Sequence, residues 1–538
     1  MAHPTVLARL ERLTPDQRAA ATAPPGPVLC VAPAGSGKTT TLVARIAWLV
    51  DGSVAPESIA AITFNKRAAE ELAERLDVAV APLAVEAGAI RVRTFHALGR
   101  EILRDAGEDV SGLTDRAALL EELFPDLPPT AFGAMDTAFS RLKLEYAVTA
   151  EEVAADPDAG PVAMAFVRYE RALADRGAID FDDLVRRALE RLGAEPRLLA
   201  RWRGRCSHLL VEEVQDVDRS QLRLALLLAA PENRIFLVGD DDQSIYGWRL
   251  ADVRRVLALG DALPGLRRVD LEVNHRCPVP VVDRAVRLIE HNQERFAKIV
   301  RPRPGAPGHL VLAPDASAEP ERTERLIRSW PDDDGTRAVL ARTNRELRPA
   351  VVAALALGLP FLAPSVDLLG DDPALDELLA LVRSGTPPSA PLLARIGRIR
   401  GQLPTEASRD LATAVQSWAP SYRDLDDLDA AIADTRARLA TLRRDDAPLA
   451  FATAHSTKGA EFDHVAVVGM DEGRFPSGRA IREADDPARA MEEERRLGYV
   501  AWTRARRTLT LSYDPSAPSP FLLEAFSAAE LGLDARMT

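Results

Sequence analysis

Short apolar runs alternate with amphipathic helical patterns in the first half of the chain. Residues 27–31 form an apolar run, and residues 39–50 after them have apolar side chains at helical spacing. Residues 59–64 and the helical pattern at 66–76 repeat this order. Further strand-like runs lie at 90–95, 209–211 and 235–238. Strands that alternate with helices predict a parallel sheet covered by helices, an α/β fold of the doubly wound type.

The same alternation recurs in the second half of the chain, and two long stretches interrupt it. The strand candidates there are 269–273, 309–312, 338–341, 449–452, 465–468 and 509–512. Residues 104–177 and 363–446 look helical and lack strand signals, so we interpret them as insertions. The predicted organisation is a first core at 1–103 and 178–273, a helical insertion at 104–177, a second core at 274–362 and 447–538, and a second helical insertion at 363–446.

Composition and charge restrict the class of protein further. Of 538 residues, 47% are hydrophobic and 28% are charged, as in soluble globular proteins. No apolar run is long enough to span a membrane, and the charged N-terminus lacks the apolar core of a signal peptide, so a cytoplasmic protein without a membrane partner is expected. The three cysteines lack CxxC spacing, so neither a disulfide framework nor a zinc site is expected. The net charge of −13 neither indicates nor excludes nucleic-acid binding, because a local groove can be basic.

Residues 32–39, with the sequence APAGSGKT, predict a phosphate-binding loop between a strand and a helix. Its two glycines allow the backbone amides to surround an anion, and the helix that follows adds the positive end of its dipole. Lys38 supplies a charge for the β- and γ-phosphates, and Thr39 supplies a hydroxyl for Mg²⁺. Ala32 stands where the general pattern has its first glycine. The predicted nucleotide contacts in this loop are Ala34, Gly35, Ser36, Gly37, Lys38, Thr39 and Thr40.

A pair of carboxylates ends another predicted strand, in the sequence LLVEEVQD at 209–216. Glu212 is expected near Mg²⁺, and Glu213 is expected to polarise the water that attacks the terminal phosphate. An isolated pair of glutamates is more often a solvated helix face. The apolar strand before this pair and its spacing from the phosphate loop favour the catalytic interpretation.

Further blocks follow in a fixed order along the chain. They are LTPDQ at 13–17, ITFNKRAAEELAERL at 62–76, TFHAL at 94–98, IDFDDL at 179–184, LVGDDDQSIYGWR at 237–249, LEVNHR at 271–276, AVLARTN at 338–344, TAHSTKGAEFD at 453–463 and EERRLGYVAWTRA at 493–505. Together with the phosphate loop, these blocks resemble the superfamily 1 DNA helicases of the UvrD, PcrA and Rep type. The resemblance runs from residue 13 to 513 and is poor in the two predicted insertions. It implies two RecA-like P-loop NTPase cores, each interrupted by a mainly helical insertion.

The resemblance also implies roles for individual residues. The implied catalytic residues are Lys38, Glu213, Gln243, Arg276 and Arg504. Gln243 would sense the γ-phosphate, Arg276 would reach the phosphates from the second core, and Arg504 would be the arginine finger. Gln17 would contact the adenine and Glu461 the ribose, whereas Thr39 and Glu212 would hold the metal. The implied DNA contacts are Phe64, Asn65, Thr94, His96, Tyr246, Trp248, Arg249, His455 and Ser456.

By this resemblance the chain is expected to be an ATP-dependent 3′→5′ DNA helicase or translocase that uses Mg²⁺. Closure and release of the two cores would drive steps along single-stranded DNA. Its expected partners are single strands and junctions between single- and double-stranded DNA. Too few residues follow position 512 for a fused nuclease domain, and a separately encoded nuclease or repair factor stays open as a partner.

The chain departs from the family pattern at several places. Glu212 and Glu213 replace the usual Asp–Glu pair, His275 replaces a tyrosine, and Leu250 replaces a small residue. The second insertion is about half the size that the resemblance implies. These departures leave an alternative, an ATP-gated DNA-binding subunit of a repair, recombination or phage-defence complex with weak turnover. A P-loop switch or kinase that does not bind DNA is disfavoured by the ordered blocks.

The role of some residues stays open from the sequence alone. Phe64 is either a DNA contact or part of the core, since it ends an apolar run. In the first insertion, Arg141 and Lys143 either touch the DNA backbone or are displayed to solvent.

Overall fold

The computed structural model of the chain describes residues 2–366 and 368–533, and these fall into two compact units. Unit 1 comprises Met1–Ala306 and Ala488–Tyr499, and unit 2 comprises Pro307–Pro487 and Val500–Thr538. The predicted boundary between the cores, after residue 273, differs from this grouping, because residues 274–306 belong to unit 1. The residue bounds of the two cores and the two insertions stay a prediction.

The strands are short and mostly buried. In unit 1 they are β1 Val28–Val31, β2 Ile59–Thr63, β3 Arg91–Thr94, β4 His208–Glu212, β5 Ile235–Gly239, β6 Arg267–Asp270, β7 Val273–Asn274 and β8 Arg301–Pro302. In unit 2 they are β9 His309–Pro314, β10 Arg337–Ala341, β11 Leu449–Thr453, β12 Phe462–Val467 and β13 Ala505–Tyr513.

Helices connect these strands. In unit 1 they are α1 Pro4–Glu11, α2 Pro15–Ala21, α3 Lys38–Asp51, α4 Lys66–Val80, α5 Phe95–Asp105, α6 Arg116–Leu123, α7 Pro129–Ser140, α8 Ala150–Ala155, α9 Pro161–Asp175, α10 Asp183–Ala194, α11 Pro196–Arg205, α12 Arg219–Ala229, α13 Val253–Leu257, α14 Leu259–Ala262 and α15 Val279–Ile289. The later helices are α16 Glu319–Ser329, α17 Arg348–Leu357, α18 Pro373–Gly385, α19 Leu392–Arg400, α20 Glu406–Trp418, α21 Leu425–Leu442, α22 Gly478–Glu483, α23 Pro487–Trp502 and α24 Pro520–Ala525.

The main sheet of unit 1 is parallel and has the order β3-β2-β4-β5-β1-β6 among the described strands. Side chains of β1 alternate between two hydrophobic cores. Leu29 and Val31 pack on one face of the sheet, and Val28 and Cys30 pack on the other. Both faces are therefore covered by helices, as predicted. The carboxyl ends of β4, β5 and β1, which are consecutive in the sheet, lie at one edge.

Unit 2 contains a second parallel sheet with the order β11-β10-β12-β13-β9 in the described part of the chain. Val339 and Phe451 of this sheet pack in one core with Val351 of α17 and Leu326 of α16. Parallel sheets flanked by helices confirm the predicted α/β class for both halves of the chain.

The predicted strand at 269–273 is wrong as a single strand. β6 ends before Leu271, and β7 pairs with β8 in a separate two-stranded ladder. The chain turns away from the main sheet because the amide of Glu272 donates to Asp16 Oδ2, at 2.8 Å, instead of continuing the ladder with β1. A side-chain acceptor from α2 therefore ends the strand.

The two predicted insertions are helical in their described residues and contain no strand there. The first packs its own core around Phe139, Phe166 and Tyr169. The second packs a core around Ile396 and Leu428. No described helix of the chain combines the length and the apolar character that crossing a membrane requires.

Candidate nucleotide and nucleic-acid site

The predicted phosphate loop connects β1 to α3, and its glycines are required by its conformation. Gly35 and Gly37 have φ angles of +68° and +84°, a region that residues with a β-carbon rarely adopt. Gly37 precedes the first residue of α3, Lys38, so the amides of the first helical turn point towards the loop. A β-carbon at Gly35 would lie 2.8 Å from Arg276 Cβ. Arg276 is thus beside the loop within unit 1.

Ala32 is accommodated because it continues the strand. Its amide donates to Gly239 O at 2.8 Å, which extends the pairing of β1 with β5 by one residue. Its φ angle is outside the left-handed region, so this position does not need a glycine.

The residues after β6 hold the loop through polar contacts. Asn274 is buried, and its Nδ2 donates to Ala34 O at 2.8 Å while its Oδ1 accepts the amide of Arg276 at 2.9 Å. The amide of His275 donates to Gly35 O at 2.9 Å. Asn274 was not among the residues predicted from the sequence, although its place within the LEVNHR block was a signal that could have identified it.

Gln17 lies directly under the loop. Its Nε2 donates to Ser36 O at 2.8 Å, and its Oε1 accepts the amide of Thr14 at 3.1 Å, which completes a capping box at the start of α2. Its predicted contact with adenine stays a prediction. Ser36 Oγ is buried and has no hydrogen-bond partner among the described residues, which leaves it available to an anion in the loop.

The two predicted carboxylates face the two reactive side chains of the loop. Thr39 Oγ1 donates to Glu212 Oε1 at 2.8 Å. Lys38 Nζ lies 3.3 Å from Glu213 Oε1. Glu213 has a φ angle of +53°, a strained conformation that turns it out of the direction of β4. Thr40, by contrast, is exposed on α3. The structure thus brings the predicted metal ligands and the predicted catalytic pair together.

Glu212 lies in surroundings that disfavour its charge. Burial and the neighbouring charge of Glu213 raise its pKa to about 7, although the hydrogen bond from Thr39 opposes this shift. A divalent cation beside the carboxylate would relieve both effects. The donor set of a hydroxyl and a carboxylate is also one that suits Mg²⁺.

The acidic triplet after β5 encloses a buried lysine. Lys298 Nζ lies 2.8, 2.5 and 2.9 Å from carboxylate oxygens of Asp240, Asp241 and Asp242. Gln243 Nε2 donates to Asp240 Oδ2 at 2.6 Å, so the side chain of the predicted γ-phosphate sensor is positioned by this cluster. Lys298 is a second residue that the sequence analysis missed.

An aromatic turn follows at 246–249. Phe64 and Tyr246 stack with their ring centroids 4.9 Å apart, and Trp248 meets Tyr246 edge to face at 6.2 Å. The guanidinium of Arg249 lies 4.6 Å from the ring centroid of Trp248, whose side chain is 54% exposed. This group of adjacent rings and one cation is a surface suited to stacked bases.

The other predicted DNA contacts of unit 1 have local structural partners. Asn65 and Thr94 cap α4 and α5 with their side-chain oxygens. His96 stacks on the exposed Phe181 with centroids 3.9 Å apart. Burial lowers the pKa of His96 to about 4, and Arg249 adds to this shift, so the ring is neutral at pH 7. DNA contact by these residues stays a prediction.

The predicted site residues of unit 2 lie around β11, β12 and β13. Arg504 is buried, and its guanidinium donates to the carbonyls of Val500 at 2.9 Å and Ala460 at 3.2 Å. Glu461 is exposed beside Arg506. His455 and Ser456 form a turn after β11, in which the Ser456 hydroxyl donates to Thr453 O at 2.9 Å. Burial lowers the pKa of His455 to about 4. Their functional roles stay predictions.

Lys143 is neither exposed to solvent nor placed to touch the DNA backbone, so both interpretations from the sequence are wrong. It is fully buried in a π-helical turn, with its Nζ 2.7 Å from Glu170, 2.8 Å from Asp180 and 3.1 Å from Asp183. The sequence gives no sign of this burial because the three carboxylates are distant in the chain. Arg141, at the start of the same turn, is exposed.

Two family models match the chain. The UvrD/REP helicase N-terminal domain matches residues 13–264, and the UvrD-like helicase C-terminal domain matches residues 423–516. The chain belongs to the UvrD-like helicase family. This membership confirms the resemblance, the helicase class and the fold of two RecA-like cores that were predicted from the sequence.

The names of similar proteins agree with membership of this helicase family. The chain is 29% identical to DNA helicase II of Salmonella typhimurium and of Escherichia coli, each over 94% of this chain and 84% of the relative. It is 27% identical to the ATP-dependent DNA helicase PcrA of Staphylococcus epidermidis, over the same shares of both chains.

Proposed function

We propose that this helicase hydrolyses ATP to move in the 3′→5′ direction on single-stranded DNA and to unwind duplexes ahead of it. One observation carries the proposal. Two residues separate Gln243, which is hydrogen-bonded within the acidic cluster at the end of β5, from Tyr246 of the aromatic turn. A change at the nucleotide site thus has a short covalent path to the surface that suits bases.

The nucleotide half of the site has the groups that ATP and Mg²⁺ need. Lys38 and the amides at the start of α3 would bind the β- and γ-phosphates, and the unpartnered Ser36 hydroxyl fits a phosphate oxygen. Thr39 and Glu212 would hold the metal together with phosphate oxygens. Mg²⁺ would neutralise charge that develops on the phosphates.

Glu213 is the proposed base that orients the attacking water. It already lies beside Lys38, and Gln215 Nε2 donates to its Oε2 at 2.5 Å, so two neighbours fix the carboxylate. Gln243 would report the presence of the γ-phosphate. Arg276, beside the loop, and Arg504 keep their implied roles as phosphate-binding residues in this proposal, as do Gln17 and Glu461 for the nucleoside.

The DNA half of the proposal rests on stacking. Phe64, Tyr246 and Trp248 offer adjacent rings, and Arg249 offers a cation that can stack or pair with a phosphate. Stacking tolerates any base sequence, as a motor that moves along DNA requires. Asn65, Thr94, His96, His455 and Ser456 are proposed to contact the same strand.

The test is ATP hydrolysis with and without single-stranded DNA. We expect strong stimulation by DNA in the parent chain and its loss in Lys38→Ala and in Glu213→Gln. Glu86→Gln, at an exposed position far from the loop in sequence, is the matched control and should hydrolyse ATP as the parent does. Tight DNA binding without stimulated hydrolysis would instead indicate the ATP-gated binding subunit.

The direction of movement along single-stranded DNA is measured separately. A duplex with a 3′ single-stranded tail should be unwound, and the same duplex with a 5′ tail should not. Equal unwinding of both substrates would contradict the proposed polarity while leaving the ATPase proposal intact.

A further inference from the structure

The aromatic turn at 246–249 is packed against a helix from the other end of the chain. The residues Ala488–Tyr499 of α23 belong to unit 1, although they follow the turn by more than two hundred positions in the sequence. Two side chains on one face of this helix, Arg489 and Glu493, meet the turn and the residues directly after it.

Glu493 lies against Gly247, the residue between the two stacking rings. A β-carbon at Gly247 would lie 2.6 Å from Glu493 Oε1 and 2.9 Å from its Oε2. The φ angle of Gly247 is outside the left-handed region, so a side chain at 247 is opposed by the Glu493 carboxylate and not by backbone conformation. The Glu493 carboxylate therefore borders the aromatic turn on the side that faces α23.

Arg489 binds the segment that follows the turn, at the start of α13. Its Nη2 donates to Asp252 Oδ1 at 2.7 Å, and the same oxygen caps α13 by accepting the amide of Arg254 at 3.0 Å. Since residues 489 and 493 are one helical turn apart, one surface of α23 meets both the aromatic turn and the segment that follows it.

The helix itself is anchored in unit 1, so its position is well defined. The carboxylate of Glu492 accepts the amides of Gln293 at 2.8 Å and Glu294 at 3.1 Å. Arg496 Nη2 donates to the carbonyl of Glu294 at 2.7 Å. Because these contacts hold the helix in place, α23 does not shift when the aromatic turn moves.

We propose that Glu493 is a positioning residue for DNA binding: its carboxylate, in contact with Gly247, sets the spacing of Tyr246 and Trp248 that stacked bases require. It acts through the aromatic turn and does not touch the DNA. This inference rests on the proposed function and adds a determinant of strand affinity that lies outside the stacking residues.

A double-mutant cycle tests the contact. Gly247→Ala, Glu493→Ala and the double variant are compared with the parent for binding of fluorescein-labelled oligo(dT). We expect Gly247→Ala to weaken binding at least 10-fold, because its β-carbon and the Glu493 carboxylate cannot both keep their places beside the turn. In the Glu493→Ala background the same change should cost less than 3-fold, because the opposing carboxylate is gone. Equal losses in both backgrounds would overturn the inference.

DNA-stimulated ATP hydrolysis provides a readout that a general loss of protein stability would not reproduce. Glu493→Ala should raise the oligo(dT) concentration for half-maximal stimulation 3- to 10-fold and leave kcat at saturating DNA within 2-fold. Glu493→Gln keeps the shape of the side chain and should stay within 2-fold of the parent in both quantities. If Gly247→Ala does not fold, the contrast between these two variants decides, and equal behaviour of Ala and Gln overturns the inference.

Failure of this inference is distinguishable from failure of the proposed function. A parent chain that binds oligo(dT) and is stimulated by it, with additive losses in the cycle, removes only the role of Glu493. A parent chain that neither binds nor responds to oligo(dT) removes the proposed function, and the inference with it.

Discussion

At the residue scale, Glu212 carries a charge that its surroundings disfavour. Burial and Glu213 raise its pKa from 4.5 to about 7. Because the folded chain then binds more protons than the unfolded chain, the free energy of unfolding falls as the pH rises from about 4.5 to 7 and stays lower above it. We expect Glu212→Gln to stabilise the chain without metal and nucleotide by roughly 1–3 kcal/mol at pH 8 and to have little effect at pH 5.

Thermal unfolding at the two pH values measures this difference. Glu86→Gln, at an exposed position, should change the melting temperature at neither pH. A gain of the same size for Glu212→Gln at pH 5 and pH 8 would show that the carboxylate is not the cause.

Asn274 gives a second prediction at this scale. Asn274→Ala leaves the carbonyl of Ala34 and the amides of Arg276 and Cys277 without their side-chain partner. We expect a loss of about 2–4 kcal/mol in the free energy of unfolding and a raised KM for ATP, because the phosphate loop loses its support. Urea unfolding and steady-state hydrolysis measure the two effects. Asn274→Asp keeps the acceptor oxygen but replaces the donor with an oxygen that faces Ala34 O, so it should also lose stability, and a stability equal to that of the parent would contradict the assignment.

At the element scale, we expect the aromatic turn to contribute to DNA affinity and to contribute little to the melting temperature. Trp248 is 54% exposed, so Trp248→Ala should leave the melting temperature within about 2 °C of the parent. The loss of one stacked base should weaken oligo(dT) binding by about 1–3 kcal/mol, or roughly 5- to 150-fold. Tyr146→Ala removes another exposed ring, outside the turn, and is the control for fluorescence-anisotropy titrations. Equal affinity of Trp248→Ala and the parent would remove Trp248 from the DNA contacts.

Buried ion pairs stabilise the π-helical turn of the first insertion. Lys143→Met leaves three carboxylates, of Glu170, Asp180 and Asp183, without the cation between them. We expect a loss of about 3–5 kcal/mol in urea unfolding, the range for breaking a buried ion pair. The control Arg141→Met changes an exposed cation of the same turn and should cost less than about 0.5 kcal/mol. Similar losses for the two variants would contradict the buried-cluster explanation.

Elements with a periodic pattern could be predicted from the sequence, and contacts between distant segments could not. The strand at 235–238 and the helix at 39–50 are found within one residue of their predicted ends, because apolar periodicity reports local burial. The phosphate loop and its facing carboxylates could be predicted because each motif is local. Asn274 and Lys298 were missed because their partners belong to other segments. The end of β6 was missed for the same reason, since Asp16 supplies its acceptor.

At the scale of the whole molecule, the number of phosphates that the chain neutralises determines how DNA binding depends on salt. A chain that binds bases mainly by stacking, as proposed for this one, neutralises few phosphates. We expect log K for oligo(dT) to fall with log salt concentration at a slope of about −2 to −3, which corresponds to roughly three to four neutralised phosphates. Titrations between 50 and 400 mM salt measure the slope. A slope steeper than about −6 would show that phosphate contacts, and not stacking, dominate the affinity.

The pairing of Lys38 with Glu213 has a consequence for selectivity. The cation of the predicted phosphate loop has an anionic partner in its own chain. A free phosphate or sulfate ion must displace that carboxylate with few contacts of its own, whereas a triphosphate offers many at once. We therefore expect inorganic phosphate and sulfate to compete only weakly with a triphosphate for the predicted loop.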